Sequence, residues 1–172
     1  MKKIVLIMMT LMAVNAPIKA NTEHNWLNIP EGEVKCLALN IYFETMAVSM
    51  ADAYAVSDVV LNRVDSPYFP NSACEVVTEG PVRPSWKDEN VMIPRRNLCQ
   101  FSWYCDGKSD EPRNSEAWSR SVKFAHDIYE FDQFRGITEG STHYHADYVA
   151  PYWAPTLDRV TQIGAHIFYR MK

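Results

Sequence analysis

Four cysteines, Cys36, Cys74, Cys99 and Cys105, constrain this chain more than any other feature. Their meaning depends on the compartment, and the N-terminus addresses that. Met1-Lys2-Lys3 is basic, Ile4 to Val14 is almost entirely apolar, and Ala20 closes the stretch with a small residue. This is the layout of a secretory signal peptide. The apolar run is too short for a permanent bilayer-spanning helix, which needs roughly 20 residues. Cleavage after Ala20 is expected, although Ile18 is larger than the usual residue at its place. An even number of cysteines in an exported chain points to two disulfides. Four cysteines allow three connectivities, of which a local Cys99–Cys105 bridge with Cys36–Cys74 is preferred. A zinc site is the weaker reading, because no pair has the tight spacing, roughly two to four residues, of a zinc knuckle.

The 172 residues suit one domain. A hydrophobic share of 47% can fill a core, and only 22% of residues are charged, which excludes general disorder. Loss of Lys2, Lys3 and Lys19 with the leader takes the formal charge from −4 to −7. A protein that acidic has no general attraction for nucleic acid or anionic lipid. The expected organisation is a leader over residues 1–20, a lead-in over 21–33 and one domain over 34–172. The mature protein is expected to be secreted or periplasmic, monomeric and without stable membrane insertion.

Within that domain, Val34, Leu37, Ala38 and Ile41 recur at helical spacing and predict a helix from Glu31 to about Met46. Glu31 and Glu33 fall in its first turn, where negative charge suits the helix dipole. A second helix is predicted over Ala51 to Val64, with Val56, Val59, Val60 and Val64 inward and Asp65-Ser66-Pro67 as its stop. Tyr68 to Val77 reads as a turn and a short element around Cys74. The proline-broken stretch from Glu79 to Asn97 reads as a long irregular loop, and Cys99 to Asp106 as an aromatic turn. Ser115 to about Phe131 is a third helix. Thr142 to Tyr148 is a strand or extended loop, and Ile163 to Tyr169 a final strand. The fold class is α+β, helix-rich, with a small β element and no doubly wound pattern.

Glu44 is the first candidate for chemistry. It stands three residues after Ile41 and seven after Leu37, on the flank of the apolar stripe, beside Tyr42 and Phe43. Desolvation there would raise its pKa and keep a proton available for a glycosidic oxygen. Gln100, Phe101, Ser102, Trp103 and Tyr104 offer flat faces and hydrogen-bonding groups, the combination that saccharides need. Alternation across Thr142-His143-Tyr144-His145 puts the two histidines on one face, where they could share a metal or line a polar cleft. Asn62 and Arg63 are read as structural, satisfying buried loop carbonyls.

Five ordered segments together resemble the SleB/CwlJ-type cell wall hydrolases, the spore cortex-lytic enzyme family. They are Cys36 to Glu44, Val59-Val60-Leu61-Asn62-Arg63-Val64, Cys99 to Gly107, Thr142 to Ala146, and Ile163 to Tyr169. The resemblance implies a lysozyme-like catalytic domain acting on the glycan strands of peptidoglycan. Its Glu44 would serve first as acid and then as base, so that the 6-hydroxyl of N-acetylmuramic acid closes a 1,6-anhydro ring without metal or cofactor. Tyr42, Gln100, Phe101, Trp103, Thr142, His143, Tyr144, His145 and Trp153 would line the saccharide cleft. The chain departs from the family just after the acid. Many members continue alanine-arginine-glycine-glutamate, whereas this chain has Thr45, Met46, Ala47 and Val48. Two rival readings are a metal-dependent amidase using His143 and His145, and a wall-binding protein that has lost turnover.

Overall fold

A computed structural model describes residues 32–172. The expected leader and most of the lead-in lie outside the described residues. Helix α1 spans Glu33–Thr45, α2 Met50–Val64, α3 Ala73–Val77 and α4 Ser115–Phe131. Strands β1 (Val82–Pro84) and β2 (Met92–Pro94) pair antiparallel as a small hairpin. Strands β3 (His143–Ala146), β4 (Asp158–Ile163) and β5 (His166–Arg170) form an antiparallel sheet in the order β3-β5-β4.

Two corrections to the sequence reading concern strands. The stretch from Glu79 to Asn97 is not wholly irregular, since it carries the β1–β2 hairpin. Ile163 to Tyr169 is not one strand, because Gly164 and Ala165 turn the chain between β4 and β5. The apolar run around the turn hid it.

The helix starts follow from capping chemistry. Ser49 Oγ accepts from the Asp52 N–H, Ser72 Oγ from the Glu75 N–H, and Asn114 Oδ1 from the Ala117 N–H, satisfying donors that the helices leave unpaired. Glu33 does more than complement its own helix dipole. Its Oε2 accepts from the backbone N–H groups of Ala73 and Cys74, so that α1 caps α3. The Cys36–Cys74 disulfide locks the same junction, and Cys99 pairs with Cys105. The Cys36–Cys74 bridge joins residues 38 apart. Its removal by paired alanine substitution is expected to cost about 4 kcal/mol by the chain-entropy relation, read as a lower midpoint in urea unfolding. A loss below about 1 kcal/mol would mean that α1–α3 packing suffices without the bridge.

Helix α2 is central and buried on almost every side. Ala53, Val56 and Val60 join Leu37, Ala38 and Ile41 of α1, Val76 and Val77 of α3, and Val122 and Ala125 of α4 in the main core. Ala55 and Val59, on the other side of α2, meet Phe168 of β5 in a second cluster. Small residues on α2 let both layers approach closely. This sandwich places the sheet edge against the C-terminal end of α1, where Glu44 sits.

The turn after α1 is strained. Met46 and Ala47 both take left-handed backbone conformations, φ 52° and 49°. Such conformations cost roughly 1–2 kcal/mol for residues bearing a Cβ. Ala47 nevertheless buries its methyl completely. Thr45 Oγ1 accepts from the Ala47 N–H at 3.0 Å, and Arg120 Nε donates to the Ala47 carbonyl at 3.0 Å. Val48 follows, 83% exposed.

Candidate active site

Glu44 lies in the last turn of α1, half-buried, at the wall of a pocket of about 270 Å³. From the sheet side, Tyr144 of β3 donates its hydroxyl to Glu44 Oε2 at 3.1 Å. Antiparallel pairing sets Tyr144 opposite Phe168, whose ring it meets at 5.7 Å. This pairing fixes the height of the phenol above α1. Gln100, Phe101 and Ser102 close another side, and His145, Ala146, Tyr148 and His166 complete the lining with Arg63. Among the described residues, Glu44 is the one carboxylate in that lining.

Burial pushes the Glu44 carboxyl above its ordinary pKa, and the Tyr144 hydrogen bond, His166 and Arg63 oppose that rise without cancelling it. Tyr144 is itself held well above the ordinary phenol range, by burial and by the neighbouring Glu44, so it stays a donor. Arg63 is buried between the rings of Phe69 and Phe101, at 5.0 and 5.4 Å. Its Nε donates to the Thr142 carbonyl at 2.7 Å, while its Nη1 has no hydrogen-bond partner among the described residues. Desolvation lowers the Arg63 pKa, in keeping with a guanidinium taken out of water. The pocket therefore combines a carboxyl with a raised pKa, a phenol donor, a fixed cation, an amide and an aromatic face. It is equipped to bind a polyhydroxylated ligand and to hand it a proton.

A sequence model of the cell wall hydrolase family matches residues 49–169. The chain belongs to the cell wall hydrolase family. Its fold is similar to that of two solved structures. One is the catalytic domain of the germination-specific lytic transglycosylase SleB from Bacillus anthracis, with TM-score 0.56 and 24% identity over 83% of this chain and 98% of that one. The other is the catalytic domain of the Bacillus cereus SleB protein, with TM-score 0.53 and 26% identity over 83% and 96%. No curated protein matches. Helix α1, which carries Glu44, precedes the segment matched by the family model, so the hydrolase's assignment of Glu44 rests on its geometry and its local motif.

The hydrolase brings Glu44, Gln100, Phe101, Tyr144 and His145 together around the pocket. Other candidates lie elsewhere. Tyr42 is in the core, and its hydroxyl accepts from the backbone N–H groups of Arg113 and Asn114, each at 3.0 Å, fixing the lead into α4. Trp103 is also core: it stacks on Phe43 at 4.9 Å and donates Nε1–H to buried Asn40 at 3.1 Å. Neither can present a face to sugar. Thr142 is buried, and its Oγ1 lies 3.0 Å from His143 Nδ1. His143 and His145 do share a face, since both rings pack on Trp153 at 5.6 Å. His145 uses one nitrogen on the Ala146 carbonyl and the other on Tyr169, both at 2.9 Å. Among the described residues, no group of three or more histidine, cysteine or acidic side chains is placed to hold a metal.

Asn62 and Arg63 satisfy loop carbonyls as expected, Asn62 Nδ2 reaching the Ser141 carbonyl at 2.9 Å. Arg63 additionally lines the pocket, which its burial concealed. The pairing of Asp52 with His166 also escaped the sequence reading. Nothing local links them, because they meet across 114 residues.

Proposed function

We propose that the protein cleaves the glycan strand of peptidoglycan between N-acetylmuramic acid and N-acetylglucosamine, as a lytic transglycosylase. One observation carries this reading: a lone carboxyl, its pKa raised by burial, faces a polar and aromatic pocket. Ordinary glycosidases flank the scissile bond with two carboxylates, one of which attacks the sugar or activates water. A pocket walled by a single carboxylate suits a reaction in which the sugar supplies its own nucleophile. Glu44 gives its proton to the glycosidic oxygen as that bond breaks, and the 6-hydroxyl of the muramic acid attacks the anomeric carbon. The carboxylate left behind can accept the hydroxyl proton. The solved Bacillus anthracis relative, described as a lytic transglycosylase, favours the same reading. Gln100 and Tyr148 at the pocket wall are assigned to hydroxyl binding and sugar stacking, with His143 and Trp153 on the adjoining face. Two disulfides support action outside the cytoplasm.

Mass analysis of purified peptidoglycan after digestion tests the proposal. Muropeptides ending in 1,6-anhydromuramic acid, lighter by one water than their hydrolysed counterparts, are expected. Reducing muramic acid ends would make the enzyme a muramidase, and free stem peptides would make it an amidase. Either result overturns the transglycosylase assignment.

A further inference from the structure

Glu44 is not the only group in the pocket able to move a proton. His166 opens β5, paired with Ala146 of β3, and lines the same pocket while 9% exposed. Its Nδ1 lies 3.1 Å from Oδ1 of Asp52, near the start of α2. That carboxylate is held in place independently. The Ala165 N–H donates to the same oxygen at 3.2 Å, and a Cβ on Gly164 (φ +54°) would overlap the carboxylate, so glycine is required for the turn to close on it. The His166 ring meets Tyr144 edge-on at 5.2 Å and 87°, and Tyr144 is the residue that donates to Glu44. An ionised carboxylate only accepts hydrogen bonds, so Nδ1 carries a proton, and in a neutral imidazole Nε2 then keeps its lone pair. A carboxylate fixing one imidazole tautomer so that the other nitrogen can act as base is a recurrent catalytic arrangement.

We propose that Asp52 and His166 form the base half of this site, with His166 Nε2 taking the proton of the attacking hydroxyl. The proposal rests on the transglycosylase reading above and relieves Glu44 of its second task. The Glu44 proton passes to the glycosidic oxygen as the bond from that oxygen to the anomeric carbon breaks. The 6-hydroxyl oxygen bonds to the same carbon, and its proton moves to Nε2. The enzyme is left with a Glu44 carboxylate and a His166 imidazolium. Return of that proton to Glu44 through solvent restores both, with none consumed. Asp52 is a positioning residue, since it touches only His166 and the turn beside it.

The test compares kcat and KM of wild type, His166→Gln, Asp52→Asn and His166→Ala on soluble glycan strands, with thermal unfolding to verify folding. The glutamine and asparagine variants are expected to lose about a hundredfold in kcat while KM stays within roughly threefold. Added imidazole should restore part of the rate to His166→Ala. The titratable and charged groups facing the ring are Asp52 and Arg63 from α2, Glu44 from α1, and Tyr144 and His145 from β3. The asparagine and glutamine variants leave all but the exchanged group in place. A kcat within roughly threefold of wild type for His166→Gln overturns the proposal. So does a loss without imidazole rescue, which would mark the pair as structural. If Glu44→Gln is inactive while His166→Gln is not, this inference alone fails. If Glu44→Gln is fully active, the reading beneath it fails as well.

Discussion

Replacing Glu44 by Gln is expected to lower the rate of peptidoglycan cleavage by about a thousandfold or more, while making the folded protein more stable at neutral pH. The first effect follows from chemistry. Glutamine keeps the shape and can still accept the Tyr144 hydroxyl that reaches Oε2 at 3.1 Å, but it has no transferable acid proton. General acid catalysis contributes typically 10² to 10⁴-fold. The second effect follows from linkage. Burial raises the folded-state pKa of Glu44 above its unfolded value, so the fold favours the protonated form. That contribution is fully present below the unfolded pKa and is lost as pH rises through the folded pKa. At neutral pH, wild type therefore carries a desolvation cost that the neutral amide does not. Thermal unfolding midpoints should place Glu44→Gln above wild type at pH 7 and bring the two together near pH 4. Activity of the wild type should fall on the alkaline side for the same reason, as the acid form is titrated away. A variant that digests sacculi at the wild-type rate would end the assignment. One that is inactive and also destabilised at pH 7 would show that Glu44 is needed for folding in its charged form.

Local signals made much of this architecture legible. The helix predicted over Ser115 to Phe131 has those observed bounds, because its inward positions recur cleanly and Asn114 caps it. The helix carrying Glu44 was equally readable from Val34, Leu37, Ala38 and Ile41, all now in the core. What sequence spacing does not encode is which polar group meets which. Trp103 and Tyr42 looked like sugar-binding surface because aromatic residues beside polar ones suit both a cleft and a core. Burial against Asn40 and the Arg113-Asn114 backbone decides for the core. Gly164 was read inside a strand because the apolar residues on both sides outweighed it. Its role emerges only with the Asp52 carboxylate that fills the space a Cβ would take. The departure from the family pattern at Thr45 to Val48 was visible, but the compensation was not. Thr45 and Arg120 hold a turn that Ala47 enters in a left-handed conformation.

A large stability effect is expected away from the pocket, at Asp58, which no local pattern distinguishes. Its side chain is fully buried in α2. Oδ1 accepts from the Gly136 N–H at 2.9 Å and from Arg135, and Oδ2 accepts from both the N–H and the hydroxyl of Thr138, at 3.0 and 2.6 Å. Arg135 reaches on to Asn62 Oδ1 and Asp65, and Asn62 donates to Thr138 Oγ1 at 3.1 Å. The segment from Arg135 to Ser141, which has little apolar burial of its own, is thus tied down by one carboxylate. Removing this carboxylate leaves the Gly136 and Thr138 N–H groups without their acceptor and takes from Arg135 its buried partner, at a cost of roughly 3–5 kcal/mol. Asp58→Ala should therefore lose about that much in urea unfolding, a large part of the 5–15 kcal/mol typical of a domain. Asp58→Asn keeps the shape but turns an amide donor toward groups that are themselves donors, so it should recover little. Pairing Asp58→Ala with Arg135→Met should cost less than the sum of the two single changes, because both remove the same ion pair. The segment leads directly into Thr142 and Tyr144, so the loss should reach the site as well. Hydrogen exchange at Gly136 and Thr138 should quicken first, and cleavage should weaken through looser placement of the Tyr144 phenol over Glu44. A loss below about 1 kcal/mol for Asp58→Ala would mean that water replaces the carboxylate without penalty and that the segment is anchored by other contacts.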